Sequence, residues 1–198
     1  MVEESSPPQV CVCVMDRALI CCVAATRDAE LHLARAMQQS LGLETPGPNR
    51  RATSGETDLI WQEPGRWLLR APSSFATKAI AALGALGALG AHDDLLISDF
   101  SHGLVLFEVS GPRCRDMLAK CIPLDLDPRV FGLDHTAATR AHHIDVWLWR
   151  RAENVYEIAC ELSYARDLRH HLIDAGREFG VIFLNGDESS PGIGSPPS

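Results

Sequence analysis

The spacing of apolar residues along the chain changes period several times, and each change marks an element. Residues 19–25, LICCVAA, form an apolar run with little polar interruption, which predicts a strand covered on both faces. Thr26 and Asp28 then offer capping oxygens. Leu31, Ala34, Met37 and Leu41 recur at helical spacing, and Gly42 supplies a C-terminal stop. Residues 43–56 are polar and rich in turn formers, so they read as a loop. Around 59–61 and 67–69 two short apolar runs flank EPGR, which predicts a tight hairpin. Ser73 and Ser74 open a helix from Phe75 to about Leu89, where Gly84 and Gly87 require close packing to offset their low helix propensity. A strand at 95–98 closes this half.

The second half runs through the same order. A strand at 105–110 precedes a helix at 114–120, a hairpin of 139–150 with 155–160, a helix from Ser163 to about Ala175, and a strand at 181–184. Each half is therefore strand, helix, strand, strand, helix, strand, the ferredoxin-like βαββαβ order. Short matches support a duplication. Arg35-Ala36-Met37 aligns with Arg115-Asp116-Met117 at an offset of 80 residues, and Ser74-Phe75-Ala76 aligns with Ser163-Tyr164-Ala165 at an offset of 89. The added residues fall in 121–138. The predicted class is α+β, with repeat one at about 18–99 and repeat two at about 103–184. Both repeats are fused in one folded body, 10–184. Pro, Ser, Gly and acidic residues dominate 1–9 and 185–198, which read as disordered tails.

Composition removes several function classes. The net charge of −8 opposes a nucleic-acid surface, which needs clustered Lys and Arg. The apolar stretch 10–25 is broken by Asp16 and Arg17, so it is not expected to span a bilayer. Seven cysteines without a Cys-x-x-Cys pair, and an acidic N-terminal stretch without a basic signal region, lead to an expected reducing cytoplasm.

The residues that bear chemistry form no catalytic set. Cys114 falls in a first helical turn between Arg113 and Arg115, where a thiol is a candidate nucleophile. No base lies nearby in sequence, and a small buried hydrophobe is the reading the pattern favours. The doublets His142-His143 and His170-His171, with His102 and His135, lack the i, i+4 or i, i+2 spacing of metal ligands. Asp99 ends a strand just before Ser101 and Gly103, a position suited to a site residue and equally to a turn-forming Asp. No glycine-rich phosphate loop and no Gly-x-Ser-x-Gly elbow occurs. Catalytic and metal-ligating residues are accordingly expected to be none. Trp61, Trp67, Trp147 and Trp149 are the candidates for partner contact, with ordinary core as the competing reading.

Four stretches taken together carry a resemblance: ISDFSHGLVLFEVSGPRCRDMLAKCIPLDLDPRVF, VWLWRRAENVYEIACELSYARDLRHHLIDAGREFG, EPGRWLLRAP and SLGLETPGPNR. In the order and spacing of Asp-x-Ser, Ser-Gly-Pro, Leu-Asp-Leu and Ser-Tyr-Ala, the chain resembles the gamma subunit of heterotetrameric sarcosine oxidase over about 18–180. The resemblance implies a fold like the folate-binding domain of aminomethyltransferases. It implies alpha, beta and delta partners that together with this chain oxidatively demethylate sarcosine to glycine, giving hydrogen peroxide and formaldehyde or 5,10-methylene-tetrahydrofolate. FAD, FMN, NAD, zinc and tetrahydrofolate would sit on those partners and no cofactor on this chain. Asp99 lies roughly where aminomethyltransferases place a folate-contacting Asp, while His102 stands where an acidic residue is expected. Two other readings stay open: a stand-alone tetrahydrofolate-dependent one-carbon protein, and the gamma subunit of a complex acting on another secondary amine.

Overall fold

The computed structural model describes residues 7–15, 18–72, 74, 81 and 95–185. The helix expected from Phe75 and most of both expected tails lie outside these residues. Within them run eleven strands and three α-helices: β1 Val10–Met15, β2 Ala18–Ala25, α1 Glu30–Leu41, β3 Arg51–Ser54, β4 Thr57–Glu63, β5 Arg66–Pro72, β6 Leu95–Asp99, β7 Leu104–Ser110, α2 Cys114–Leu118, β8 Thr136–Ala141, β9 Ile144–Ala152, β10 Val155–Glu161, α3 Ala165–Gly176 and β11 Val181–Leu184. The chain divides into two compact units, the boundary falling between Leu104 and Val105, with Asp134–Ala137 joining the first-half unit and β1 the second-half unit.

The first-half unit is built on a five-stranded antiparallel sheet in the order β3-β4-β5-β2-β6. Alternation along β2 sends Leu19, Cys21 and Val23 to one face, where they meet Leu33, Met37 and Leu41 of α1 and Leu59, Trp67 and Leu69 of the hairpin. Burial of a residue such as Leu33 or Met37 contributes about 1.5–3 kcal/mol. The helical stripe is shifted from the one expected: Leu33 is inward, whereas Leu31 is 59% exposed. Gly42, at φ 66°, ends α1 as its position in the sequence suggests. The EPGR hairpin turns at Pro64-Gly65, with Gly65 at φ 75°. β3 lies inside the stretch expected to be a loop. RATS carries almost no apolar signal, and it is a strand by its pairing with β4 at the edge of the sheet.

The second-half unit has a six-stranded sheet in the order β11-β1-β7-β10-β9-β8. β1 runs between two strands of the second half, parallel to β11 and antiparallel to β7. Its Val10 and Val12 are almost fully buried. Gln9, expected to belong to a disordered tail, donates its N–H to the carbonyls of Phe179 and Gly180 at 3.1 Å each. The expected long strand 139–150 is two strands, because His142 takes a left-handed φ of 55° and reverses the chain. α2 holds only five residues, and the chain from Lys120 to Cys121 is turn.

Gly111 locks β1 in place. At φ 114° it occupies a conformation that side chains avoid, and a Cβ there would run into the Gln9 carbonyl oxygen. Gly111→Ala is expected to cost about 1–3 kcal/mol from the backbone alone, with the clash adding to it. A lower thermal midpoint together with faster amide exchange across β1 is the expected result, and a wild-type melt would contradict it.

Candidate functional site

The end of β6 carries the one carboxylate singled out by the sequence. Asp99 pairs with Cys21 across the sheet and is exposed. Its Oδ1 accepts the Ser101 N–H at 2.8 Å, and hydrogen bonds from the Ser101 side chain and backbone hold the carboxyl below its ordinary range. The hydroxyl oxygen of Ser101 accepts the Ile20 N–H at 3.0 Å, and Phe100 N–H donates to the Ile20 carbonyl at 2.7 Å. Asp-x-Ser is thus a side-chain-closed turn that continues the β2 ladder past its last backbone pair. One carboxylate oxygen is engaged in this turn.

The thiols are built against nucleophilic chemistry. Cys114 is fully buried, and burial pushes its thiol up to about 11 despite the Arg115 N–H and the charges of Arg115 and Arg150. A first-turn position by itself favours a lowered pKa, and desolvation outweighs it here. Cys121 is raised to about 11 and Cys160 to about 12, again by burial first. Iodoacetamide at about pH 8 is expected to modify these three more slowly than a model thiol until the chain is denatured. Labelling of native Cys114 at the free-thiol rate would overturn this.

The four tryptophans divide. Trp67 is buried, and its indole N–H donates to the Pro46 carbonyl at 2.9 Å. Trp149 is fully buried, and its N–H donates to Glu157 Oε2 at 2.8 Å. Both are core residues with their polar atom satisfied, so for these two the competing reading of ordinary core replaces partner contact. Trp61 and Trp147 are half-buried, and Trp61 packs against the core of its sheet.

Two constellations were not anticipated. The strand register places Thr53, Asp58 and Arg70 in one row across β3, β4 and β5. Asp58, fully buried, accepts from Arg51 at 2.7 Å, from Thr53 at 2.9 Å and from Arg70 at 3.4 Å. In the second-half unit the imidazoles of His142 and His143 at the β8–β9 turn pack against His171 of α3, with ring centroids 4.3 and 5.5 Å apart. Among the described residues no group of three or more His, Cys, Asp or Glu is arranged to hold a metal ion. No helix among them is long and apolar enough to cross a membrane.

The sarcosine oxidase, gamma subunit family model matches residues 26–178. The chain belongs to this family. The gamma subunit of sarcosine oxidase from Arthrobacter sp is 33% identical over 150 residues, covering 75% of this chain and 70% of that one. The one from Corynebacterium sp. (strain U-96) is 32% identical over 76% and 71%. In the heterotetrameric sarcosine oxidase of Corynebacterium sp. U-96, solved in complex with pyrrole 2-carboxylate, one chain matches with a TM-score of 0.77 at 28% identity over 89% of both. The aminomethyltransferase T of the Bartonella henselae glycine cleavage system shares the fold, with a TM-score of 0.63 at 17% identity over 89% of this chain and 48% of that one. The gamma-family fold is therefore mixed α+β, mostly sheet, and like part of an aminomethyltransferase.

Proposed function

We propose that this chain is the non-catalytic gamma subunit of a heterotetrameric sarcosine oxidase, assembling with alpha, beta and delta chains. The match to a chain of the Corynebacterium complex over 89% of both chains carries the reading. The complex would demethylate sarcosine oxidatively to glycine, with hydrogen peroxide and formaldehyde or 5,10-methylene-tetrahydrofolate as the other products. FAD, FMN, NAD, zinc and tetrahydrofolate would be held by the partner chains, and the cytoplasm would be the compartment. In support of a non-catalytic role, the buried thiols are raised in pKa, the buried carboxylates Asp58 and Glu157 are engaged by arginines, and Asp99 is committed to its turn. The two units are read as two ferredoxin-like repeats in one body. The order β4-β5-β2-β6 supports this in one unit, and β9-β10-β7 with β11 beyond the inserted β1 supports it in the other. Trp61 and Trp147 are the remaining tryptophan candidates for partner contact. Purification of the tagged chain from its host tests the assembly. Three further chains and flavin absorbance are expected to co-elute, and a colourless single chain would refute it.

A second reading, tetrahydrofolate binding at Asp99, draws on the aminomethyltransferase-like fold and on the exposure of this carboxylate at a strand end. Calorimetry of the chain with tetrahydrofolate decides it: heat that Asp99→Ala removes supports folate binding, and heat no larger than buffer dilution rejects it.

A further inference from the structure

The family reading gives the histidine doublets no role, yet members of the two doublets meet. His142 and His143 sit on the turn between β8 and β9, and His171 sits mid-way along α3. The turn is fixed from its other side by the His142 N–H, which donates to the Cys121 carbonyl at 3.0 Å. His171 is thus held against two other imidazoles, and these ring contacts join the turn to the helix.

We propose that the His142–His143–His171 cluster is a pH-sensitive fastening between α3 and the β8–β9 turn, closed while the rings are neutral and loosened by acid. Neutral imidazoles pack in this cluster without charge, His142 tilted by 35° to His171 and His143 edge-on to it at 83°. A single proton is tolerated, since one imidazolium beside two neutral rings meets no like charge. Protonation of His171 together with His142 or His143 places two cations at a ring spacing of 4.3 or 5.5 Å, and they repel. Burial and the neighbouring rings hold the His171 proton back, so the repulsion sets in on the acid side of the ordinary histidine range.

The surrounding charges do not cancel this. On α3, Asp167 and Asp174 oppose the effect, but burial and the two neighbouring histidines outweigh them and keep the His171 pKa below its ordinary value. Asp174 is engaged by Arg177 at 2.9 Å. On the strands flanking the turn, Arg140 and Asp145 pair with each other at 2.9 Å. Just past α2, Lys120 is held by the Ala175 carbonyl at 3.0 Å and by Glu178 at 2.6 Å. His170, next to His171 on the helix, is exposed. The sign follows from the lowered pKa of His171. The unfolded chain binds the proton more readily than the folded one, so the contact is at full strength above the unfolded pKa and weakens as pH falls below it.

Amide exchange of the full chain at about pH 7.5 and about pH 5.5, corrected for the intrinsic rate, tests this. In the wild type, protection across 139–145 and 165–176 is expected to drop several-fold at the lower pH, while that of the β4–β5 hairpin holds. His171→Gln removes the centre of the cluster. The double variant His142→Asn, His143→Asn removes its other side and keeps a residue that tolerates the left-handed φ at 142. Both are expected to lose the acid-dependent drop. No drop in the wild type, or an equal drop in both variants, would overturn the proposal.

Discussion

Asp58→Ala is expected to destabilise the chain by about 3–5 kcal/mol, the range for breaking a buried ion pair by removing one partner. The carboxylate has no exposed surface, and the side chains of Arg51 and Arg70 are each only 7% exposed. Removing Asp58 leaves two guanidinium groups side by side inside the sheet without the carboxylate that joins them. Asp58→Asn keeps the volume and one acceptor, and is expected to fall between the wild type and alanine. Replacing all three residues by apolar ones of similar size is expected to recover much of the loss, because no buried charge then remains. Urea melts of the four proteins provide the comparison. A loss under about 1 kcal/mol for Asp58→Ala would place the network in the class of weak surface pairs.

Trp149→Ala is the second large effect, expected at about 3–5 kcal/mol for the lost apolar burial and the cavity it leaves. The indole stands directly across the strand pair from Glu157 and donates to it at 2.8 Å, so alanine also strips a donor from a carboxylate that is 1% exposed. Trp149→Phe separates the two causes. It keeps most of the ring and loses the N–H, and is expected to cost about 1–3 kcal/mol. Glu157 keeps Arg151 at 3.4 Å in either variant, so the site is weakened without becoming an isolated buried charge. Equal melts for Trp149→Phe and the wild type would show that the indole N–H contributes nothing.

The order of elements was legible in the sequence wherever the apolar period was strong. β5, β7, β10 and β11 fall within a few residues of their expected spans because alternation or continuous apolarity marked them. The places where the structure departs from expectation each depend on a partner distant in the chain. β1 lies in a stretch to which the sequence assigned no element, and nothing local says that it joins the strands β7 and β11. β3, which has no apolar run of its own, pairs with β4 on one edge, and on the other its Arg51 N–H donates to the distant Asp134 carbonyl at 2.8 Å. His142 is not a residue from which a reversal is expected, and its left-handed φ is secured by its N–H bond to Cys121.

The site chemistry followed the same division. Asp99 was found at a strand end as expected, and the turn it closes uses Ser101 two residues on, a local effect that composition and spacing encode. Cys114 is the small buried hydrophobe that the pattern favoured. How far its burial outweighs the first-turn dipole is a tertiary property that no local spacing reports. Trp61 and Trp67 face each other across the β4–β5 pair, and Trp147 and Trp149 share a face of β9, so strand parity does not tell the buried ring from the half-buried one in either pair. The Asp58 row and the histidine cluster arise from register and packing, and single-sequence spacing carries no signal for either.

The central claim is that the chain works as one subunit of an oxidase whose chemistry lies elsewhere. Co-expression with the alpha, beta and delta chains, followed by native mass measurement and a sarcosine-dependent peroxide assay, tests it most directly. The expected result is a four-chain particle containing one copy of this chain, with turnover that survives Asp99→Ala and Cys114→Ser. The contradicting result is an active particle of the other three chains that assembles and turns over without this one.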